Sequence, residues 1–332
     1  MPLYDKPLEE LLVYDPPMTR EADFEAFWAE TLAESASSPL NARLEDVSYP
    51  AIGVRVSEVY YDGWRGARIC AWYLVPQGEG PFPALVQYHG YSGGKSGIHN
   101  YLVWALQGYV VLALDVRGQA GKSNNPGPYT GGHVMGWMTQ GIMDPAEYFY
   151  RGAYVDCVRA LDLLSALPEV DARHIGIMGI SQGGGLTLAV AALDSRPVVA
   201  MAEVPYLCHF KRATDLAVRG PYLEIADYLR RWPKQDEQVW RTLSYFDNMN
   251  LAPWIKCPVL MDVGLQDDIC PPSSVYAEYN KITAPKQMKV YPYHSHASVE
   301  DFCEEKYRWA HHYLMGMDTL RGRGSAQRVS PT

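Results

Sequence analysis

The sequence has no apolar run long enough to cross a bilayer, and it has no excess of positive charge. No stretch reaches the roughly 18 apolar residues that a membrane helix needs. The 332 residues include 38 acidic and 29 basic side chains, which gives a formal net charge of −9. This balance argues against nucleic acid or anionic lipid as a partner. With 48% hydrophobic residues, the chain is long enough to bury a large core.

Cysteine is also scarce, and its spacing follows no metal or redox pattern. The six cysteines stand at positions 70, 157, 208, 257, 270 and 303. None of them forms a Cys-x-x-Cys pair, which argues against a zinc ribbon or a thioredoxin-type site. The sequence does not open with the basic and then apolar segment of a secretory signal. We therefore expect a cytoplasmic protein with reduced thiols.

Short apolar runs alternate with helical patterns along most of the chain. A segment with two glycines, residues 62–66, separates the first two strand patterns and predicts a hairpin. The later apolar runs are typical of buried parallel strands. This alternation predicts a doubly wound, mostly parallel sheet. The predicted strands are Val54–Tyr61, Ala67–Val75, Pro83–Tyr88, Tyr109–Leu114, His174–Ile180, Val198–Ala202, Pro258–Val263 and Met288–Tyr293, and the predicted helices are Asn100–Leu106, Tyr148–Leu167, Gly185–Leu193 and Glu300–Met315.

Four segments depart from the alternation. Residues 1–50 form an N-terminal extension, with a helix predicted from an N-cap at Thr19 to about Glu34. Residues 118–145 are rich in Gly, Pro and Asn and predict a long loop, which in a compact domain is usually functional. Residues 205–255 predict a helical insertion, either a cap or an assembly surface, and residues 319–332 a disordered tail. Residues 1–318 are thus expected to form one domain.

A Gly-x-Ser-x-Gly pattern lies between a strand pattern and a helix pattern. Residues 179–183 read Gly-Ile-Ser-Gln-Gly. In this context the pattern predicts the nucleophile elbow of an α/β-hydrolase fold, with Ser181 as the nucleophile. The turn is sharp, so it needs small residues at Gly179 and Gly183. The pattern alone is weak, and a glycine-rich turn packing helix on strand is the alternative.

A serine nucleophile needs a base and an orienting acid, which in this fold follow it in the order acid, then histidine. The acid should follow a late strand, where Asp267 and Asp268 stand, and we favour Asp267 because it is nearer the strand end. The base should follow the last strand. His294 and His296 stand there, and we favour His296 because it lies further out in the loop.

The oxyanion hole needs two backbone N–H groups, one after the nucleophile and one from an early strand-to-helix loop. These positions predict the amides of Gln182 and Tyr91. His89 precedes the serine in the chain and is interpreted as a structural residue. A zinc site built on the late histidines and aspartates would leave the elbow unexplained, and the sequence lacks a His-Glu-x-x-His helix. We predict no metal and no organic cofactor.

These motifs together resemble the acetyl xylan esterase and cephalosporin C deacetylase family, carbohydrate esterase family seven, over roughly residues 5–317. One departure is that His296 is followed by Ala297, where the family usually has glutamate, and Glu300 cannot be assumed to replace it. The similar motifs are Arg117-Gly118-Gln119, Gly179-Ile-Ser181-Gln182-Gly183, Val204–Phe210, Arg241–Asp247, Gly264–Asp267 and Cys270-Pro-Pro-Ser.

The resemblance implies a catalytic triad of Ser181, Asp267 and His296 and an oxyanion hole at Tyr91 and Gln182. It implies that Gly179, Gly183 and the Arg117-Gly118-Gln119 motif support the site, with Arg117 interpreted as a structural anchor beneath the oxyanion loop. Acetylated xylo-oligosaccharides and the acetyl ester of cephalosporin C are the implied substrates. A homohexamer with active sites facing an inner cavity is the implied assembly. Two alternatives stay open: a hydrolase of peptides or longer acyl esters, and a non-catalytic binding protein with a hydrolase fold.

Overall fold

A nine-stranded sheet runs through the computed structural model, which describes residues 5–318 and Leu320. The strands lie in the order β1-β2-β3-β5-β4-β6-β7-β8-β9. β1, β2, β3 and β5 pair antiparallel, and all other neighbours pair parallel. The strands are β1 Arg43–Asp46, β2 Val54–Asp62, β3 Arg68–Pro76, β4 Phe82–Tyr88, β5 Val110–Leu114, β6 Val170–Ile180, β7 Pro197–Glu203, β8 Val259–Gly264 and β9 Lys286–Tyr291.

Helices cover both faces of this sheet, which confirms the predicted doubly wound α/β-hydrolase architecture. Strand β5 illustrates this two-sided arrangement, because its alternate side chains enter two different core clusters. One cluster includes α4 and α5, and the other includes α3 and α11. The helices are α1 Leu8–Leu11, α2 Phe24–Ala36, α3 His99–Ala105, α4 Phe149–Ala166, α5 Gln182–Leu193, α6 Phe210–Leu216, α7 Tyr222–Arg231, α8 Asp236–Ser244, α9 Asn248–Leu251, α10 Pro272–Tyr279 and α11 Glu300–Met315.

The N-terminal helix begins later than its sequence pattern predicts. α2 starts at Phe24, and Asp23 rather than Thr19 occupies the N-cap position. The Thr19 amide instead donates to Asn250 Oδ1 at 3.0 Å, and the Arg20 guanidinium donates to the Asn250 carbonyl oxygen at 2.8 Å. These bonds hold the segment against α9, so it does not enter the helix.

Several other elements differ from the sequence prediction, among them α10, β9 and β1. Helix α10 was not predicted, and it begins at Pro272 because proline fits the first position of a helix. Strand β9 ends at Tyr291, since Pro292 follows and the His294 amide donates to the Tyr291 carbonyl in a turn. The short, mostly exposed strand β1 has no apolar alternation and was not predicted.

The predicted insertion and the predicted loop both lie between regular elements of the sheet. Helices α6 to α9 follow β7 and precede β8. Residues 118–145 contain no helix or strand.

Within the part of the chain that the structure describes, no helix combines the length and the apolar character that crossing a bilayer requires. Apart from Leu320, the tail predicted at 319–332 lies outside the described residues.

Candidate active site

Ser181 lies on the turn that joins β6 to α5. Its φ of 56° and ψ of −117° place it outside the regions that side-chain-bearing residues normally adopt. A Cβ on Gly179 would lie 2.7 Å from the Tyr88 carbonyl oxygen, and one on Gly183 would overlap the same oxygen. Both positions therefore require glycine. α5 begins directly after the serine, so the positive end of the helix dipole lies where an oxyanion would form.

Two hydrogen bonds connect three side chains that are far apart in the sequence. Ser181 Oγ lies 2.9 Å from His296 Nε2, and His296 Nδ1 lies 2.8 Å from Asp267 Oδ2. The other carboxylate oxygen of Asp267 accepts from the amides of Ile269 and Cys270 at 2.9 and 2.8 Å. Because a carboxylate only accepts, the hydrogen of the neutral imidazole sits on Nδ1. His296 Nε2 is then free to accept the Ser181 hydroxyl proton.

The neighbouring carboxylate, Asp268, has a different partner. It accepts from Arg219 Nε at 2.7 Å, and this bond holds the pKa of Asp268 below its usual range. Of the two candidate acids, the structure therefore brings Asp267 to His296.

The neighbouring histidine, His294, supports the loop through its backbone. Its carbonyl oxygen accepts from the Gln266 amide at 3.0 Å, and its ring packs against Tyr291 with centroids 5.4 Å apart. Of the two candidate bases, the structure brings His296 to the serine.

Three possible metal ligands come together at this site: Asp267, Cys270 and His296 offer atoms within 4.8 Å of one another. Both nitrogens of the imidazole already form hydrogen bonds. Burial raises the pKa of the Cys270 thiol well above its usual value, whereas a metal ligand must be a thiolate. The hydrogen bonds of His296 with Asp267 and Ser181 account for the geometry of this group.

A tight turn after β4 lies beside the serine. The Gly93 amide donates to the Gly90 carbonyl oxygen at 3.0 Å, and a Cβ on Gly90 would lie 3.8 Å from Ser181 Cβ. Tyr91 is the second residue of this turn. Among the described residues, no group accepts from the Tyr91 amide or from the Gln182 amide, the latter at the open end of α5. Both amides can therefore donate to a ligand at the serine.

Hydrogen bonds with two residues, Gln119 and Tyr150, fix the side chain of Gln182. Gln119 Nε2 donates to Gln182 Oε1 at 2.8 Å, and Gln182 Nε2 donates back to Gln119 Oε1 at 3.1 Å. The Tyr150 hydroxyl also donates to Gln182 Oε1 at 3.0 Å. Gln119 thus holds the residue whose amide is the predicted oxyanion donor.

His89 forms hydrogen bonds within its own loop. Nδ1 donates to the Gly90 carbonyl oxygen at 2.8 Å, and Nε2 accepts from the Val116 amide at 2.9 Å. Burial lowers the pKa of His89, so the ring stays neutral. These contacts agree with the structural interpretation of this histidine.

Arg117 is buried and binds structural partners. Its guanidinium donates to both carboxylate oxygens of Asp156 on α4, at 2.6 and 2.8 Å, and to the Trp64 carbonyl oxygen at 3.0 Å. It anchors the start of the 118–145 loop to α4 and the β2–β3 turn, which agrees with its interpretation as a structural anchor, and its place beneath the oxyanion loop stays a prediction. Gly118 follows with φ of 62°, and a Cβ there would lie 2.7 Å from Asn125 Cβ.

A partly buried ion pair that sequence reasoning missed lies beside the loop that carries His296. The Ser298 hydroxyl donates to Glu203 Oε1, and Lys306 Nζ lies 2.5 Å from Glu203 Oε2. The Glu203 carbonyl oxygen also accepts from the Ser181 amide at 2.9 Å. This set ties the segment after His296 and Ala297 to the strand beside the elbow. No local pattern marks these residues, because the contact joins β7, the last loop and α11.

Sequence reasoning also missed Glu224 of α7. Its carboxylate accepts from the Tyr91 hydroxyl at 2.8 Å. No local pattern marks it, because the same short helix also carries Asp227, Arg230 and Arg231.

Comparison with known proteins identifies a family. The family profile of acetyl xylan esterase (AXE1) matches residues 1–313. The acetyl xylan esterase from Paenibacillus sp. R4 is 45% identical, with a TM-score of 0.91 over 93% of this chain and 100% of that chain. Acetyl xylan esterase 1 from Thermoanaerobacterium sp. JW/SL YS485 is 37% identical, with a TM-score of 0.90 over 92% of this chain and 98% of that chain.

A curated relative, the acetyl esterase Axe7A of Xylanibacter ruminicola, is 28% identical over 284 residues. The match covers 82% of this chain but 63% of that protein, so this chain spans less than two thirds of its length. The profile match and the similarity over nearly the whole chain lead to one conclusion: the chain belongs to the acetyl xylan esterase family of α/β-hydrolases.

Proposed function

We propose that this chain is a serine esterase that removes acetyl groups from acetylated xylo-oligosaccharides and other small acetyl esters, including cephalosporin C. The observation that carries the proposal is the unbroken pair of hydrogen bonds from Ser181 through His296 to Asp267. These three side chains meet at the strained nucleophile elbow. The chain also belongs to a family of acetyl xylan esterases. No metal or organic cofactor takes part in the proposed reaction.

The first half-reaction forms an acetyl-enzyme. Ser181 Oγ attacks the acetyl carbonyl carbon while its proton passes to His296 Nε2, and the carbonyl π electrons move to oxygen. The amides of Tyr91 and Gln182 donate to that oxyanion, and loss of one such donor costs about 3–4 kcal/mol of barrier. Nε2 then gives its proton to the departing alcohol oxygen as the C–O bond breaks.

The second half-reaction regenerates the enzyme. Nε2 takes a proton from water as the water oxygen attacks the acetyl carbon. When the second tetrahedral intermediate collapses, the bond to Ser181 breaks and Oγ recovers the proton, so that acetate leaves. Asp267 keeps the hydrogen of the neutral ring on Nδ1 and stabilises the imidazolium that forms twice in each cycle.

The nucleophile is tested by Ser181→Ala, with acetate release from p-nitrophenyl acetate as the readout. Ser165→Ala, on the exposed side of α4, is the matched control. We expect Ser181→Ala to fold normally and to lose at least about 1,000-fold in kcat, while the control stays near wild type. Undiminished turnover in Ser181→Ala would reject the assignment.

The acyl group and the class of substrate are tested with a series of p-nitrophenyl esters from acetate to octanoate and with peptide anilides. An acetyl esterase should lose activity steeply beyond a few carbons and release no aniline. Cephalosporin C and acetylated xylotriose then test the two named substrates. Preference for long chains or for peptides would favour the alternative hydrolases. Failure of a fluorophosphonate to label the protein would favour a non-catalytic binding protein.

We also propose the homohexamer that the family resemblance implies. Light scattering after size-exclusion chromatography measures the mass directly. A mass six times that of the 37.2 kDa chain is expected, and a monomer would contradict the proposal.

A further inference from the structure

A half-buried carboxylate joins three segments that meet beside the elbow. Glu224 Oε1 accepts from the Tyr91 hydroxyl at 2.8 Å, and Glu224 Oε2 accepts from the Met138 amide at 3.0 Å. The Tyr91 hydroxyl in turn accepts from the Trp137 amide at 2.6 Å. Glu224 belongs to α7 of the insertion, and Trp137 and Met138 belong to the 118–145 loop. Tyr91 belongs to the Gly90–Gly93 turn, which we call the oxyanion turn.

The backbone leaves room for this carboxylate because residue 136 is glycine. Gly136 has φ of 108°, and a Cβ there would overlap the Glu224 carboxylate. The Tyr91 ring packs edge-on against Trp137 with centroids 5.2 Å apart, and Trp137 Nε1 donates to the Gly118 carbonyl oxygen at 3.0 Å. The position of the tyrosine side chain is thus fixed both at its ring and at its hydroxyl.

The carboxylate is held at a cost, because burial raises the pKa of Glu224 to about 7. Its hydrogen-bond donors are a tyrosine hydroxyl and a backbone amide, which are neutral groups. A half-buried carboxylate with only neutral partners stabilises the fold less than one paired with a charged group would. Stability alone therefore does not explain why a carboxylate lies next to the oxyanion turn.

The side chain of Tyr91 helps to hold its own amide in position. Tyr91 is the second residue of the Gly90–Gly93 turn, so its N–H takes no part in the hydrogen bond of that turn. The amide nitrogen and Cβ are both bonded to the Tyr91 Cα, so a displacement of the turn that moves the N–H would also displace the ring and the hydroxyl. Fixing the hydroxyl therefore holds the position of the amide that is the predicted oxyanion donor.

We propose that Glu224 is a positioning residue that holds the Tyr91 amide in place as an oxyanion donor. The inference rests on the proposed esterase function, in which that amide stabilises the tetrahedral oxyanion. Glu224 touches no reacting atom in this account. It acts through the Tyr91 hydroxyl. Two backbone amides of the 118–145 loop also hold this pair, because Trp137 donates to the Tyr91 hydroxyl and Met138 donates to the Glu224 carboxylate.

The variants Glu224→Ala and Glu224→Gln test the proposal. Alanine removes the acceptor. Glutamine keeps one carbonyl oxygen, which can still accept from the Tyr91 hydroxyl, while its NH2 group replaces the oxygen that accepts from the Met138 amide. Asp215→Asn is the matched control, because it neutralises a carboxylate of the same insertion that pairs with Lys211.

Two readouts separate positioning from general stability. The first is kcat and KM for p-nitrophenyl acetate, and the second is the inhibition constant of a small trifluoromethyl ketone, whose hemiketal with the serine needs the oxyanion hole. For Glu224→Ala we expect kcat to fall about 10- to 100-fold, less than for complete loss of a donor, with KM within about threefold. The affinity for the ketone should fall by the same factor as kcat/KM. Glu224→Gln should recover to within about threefold.

Equal activity of Glu224→Ala and wild type would overturn the proposal. So would a loss of kcat with unchanged affinity for the ketone, or a glutamine variant as impaired as the alanine variant. If Glu224→Ala fails to fold, Tyr91→Phe decides the question, because it removes the hydroxyl alone and should lower kcat and ketone affinity together. A wild-type protein that does not hydrolyse acetyl esters would instead overturn the proposed function, and this inference with it.

Discussion

Replacing Asp267 by asparagine keeps the shape of the side chain but exchanges one acceptor oxygen for an NH2 donor. The structure determines which oxygen is replaced. The backbone amides of Ile269 and Cys270 both point at Oδ1, so the carbonyl oxygen of the asparagine must take that position. The NH2 group is then directed at Nδ1 of His296, 2.8 Å away in the wild type.

This exchange inverts the hydrogen bonding of the imidazole. Nδ1 must lose its hydrogen to accept from the amide, so the hydrogen of the neutral ring moves to Nε2. Nε2 then points a donor at Ser181 Oγ and cannot take its proton. In serine proteases the same exchange lowers kcat about 10⁴-fold, which corresponds to about 5 kcal/mol of barrier. We expect a loss of that size here.

The measurement is kcat for p-nitrophenyl acetate, together with ¹⁵N NMR of the histidine ring to identify the protonated nitrogen. Asp268→Asn is the matched control, because it changes the neighbouring carboxylate and its exposed Arg219 pair and should keep activity within about threefold. Thermal melts check that both variants fold. If Asp267→Asn kept more than a tenth of wild-type kcat, or left the hydrogen on Nδ1, the reasoning would be refuted.

Three further predictions concern stability and its dependence on pH. Gly183→Ala drives a Cβ into the Tyr88 carbonyl oxygen, so urea unfolding should show a loss of about 3 kcal/mol or more, and an unchanged midpoint would contradict the packing. Arg117→Ala leaves the Asp156 carboxylate buried without its guanidinium and should lower the free energy of unfolding by about 3–5 kcal/mol, whereas a loss below about 1 kcal/mol would contradict a structural role. Burial raises the pKa of Glu224 from near 4.5 to about 7, so the folded state binds the proton more tightly and the wild type should lose stability as pH rises from about 5 to about 7. Glu224→Gln does not titrate, so its melting temperature relative to wild type should rise over that range, and parallel curves would contradict the prediction.

The nucleophile elbow could be predicted because its demands are local. The chain turns sharply at Ser181, so the close approach to the Tyr88 carbonyl selects glycine at 179 and 183, and both glycines stand in one short stretch of sequence. Asp267 and His296 could be placed because the ends of parallel strands meet at one edge of the sheet. The choice between adjacent candidates depended on order in the loop and on the family resemblance.

The residues that support the site could not be predicted in the same way. Glu224 and Tyr91 are 133 positions apart, and Ser298 and Glu203 are 95 apart. Such contacts depend on how the insertion and the last loop pack, which periodicity does not encode. The late start of α2 has a similar cause, because Thr19 donates to an asparagine more than 200 residues away.

The proposed esterase function depends most directly on the identity of the reactive serine. A fluorophosphonate should modify one residue per chain, and peptide mass spectrometry should place the adduct on Ser181, with acetate release falling in step with modification. His296→Ala should label far more slowly, because the hydroxyl has lost its base. Complete inactivation without an adduct at Ser181, or complete modification of Ser181 with esterase activity retained, would contradict the account.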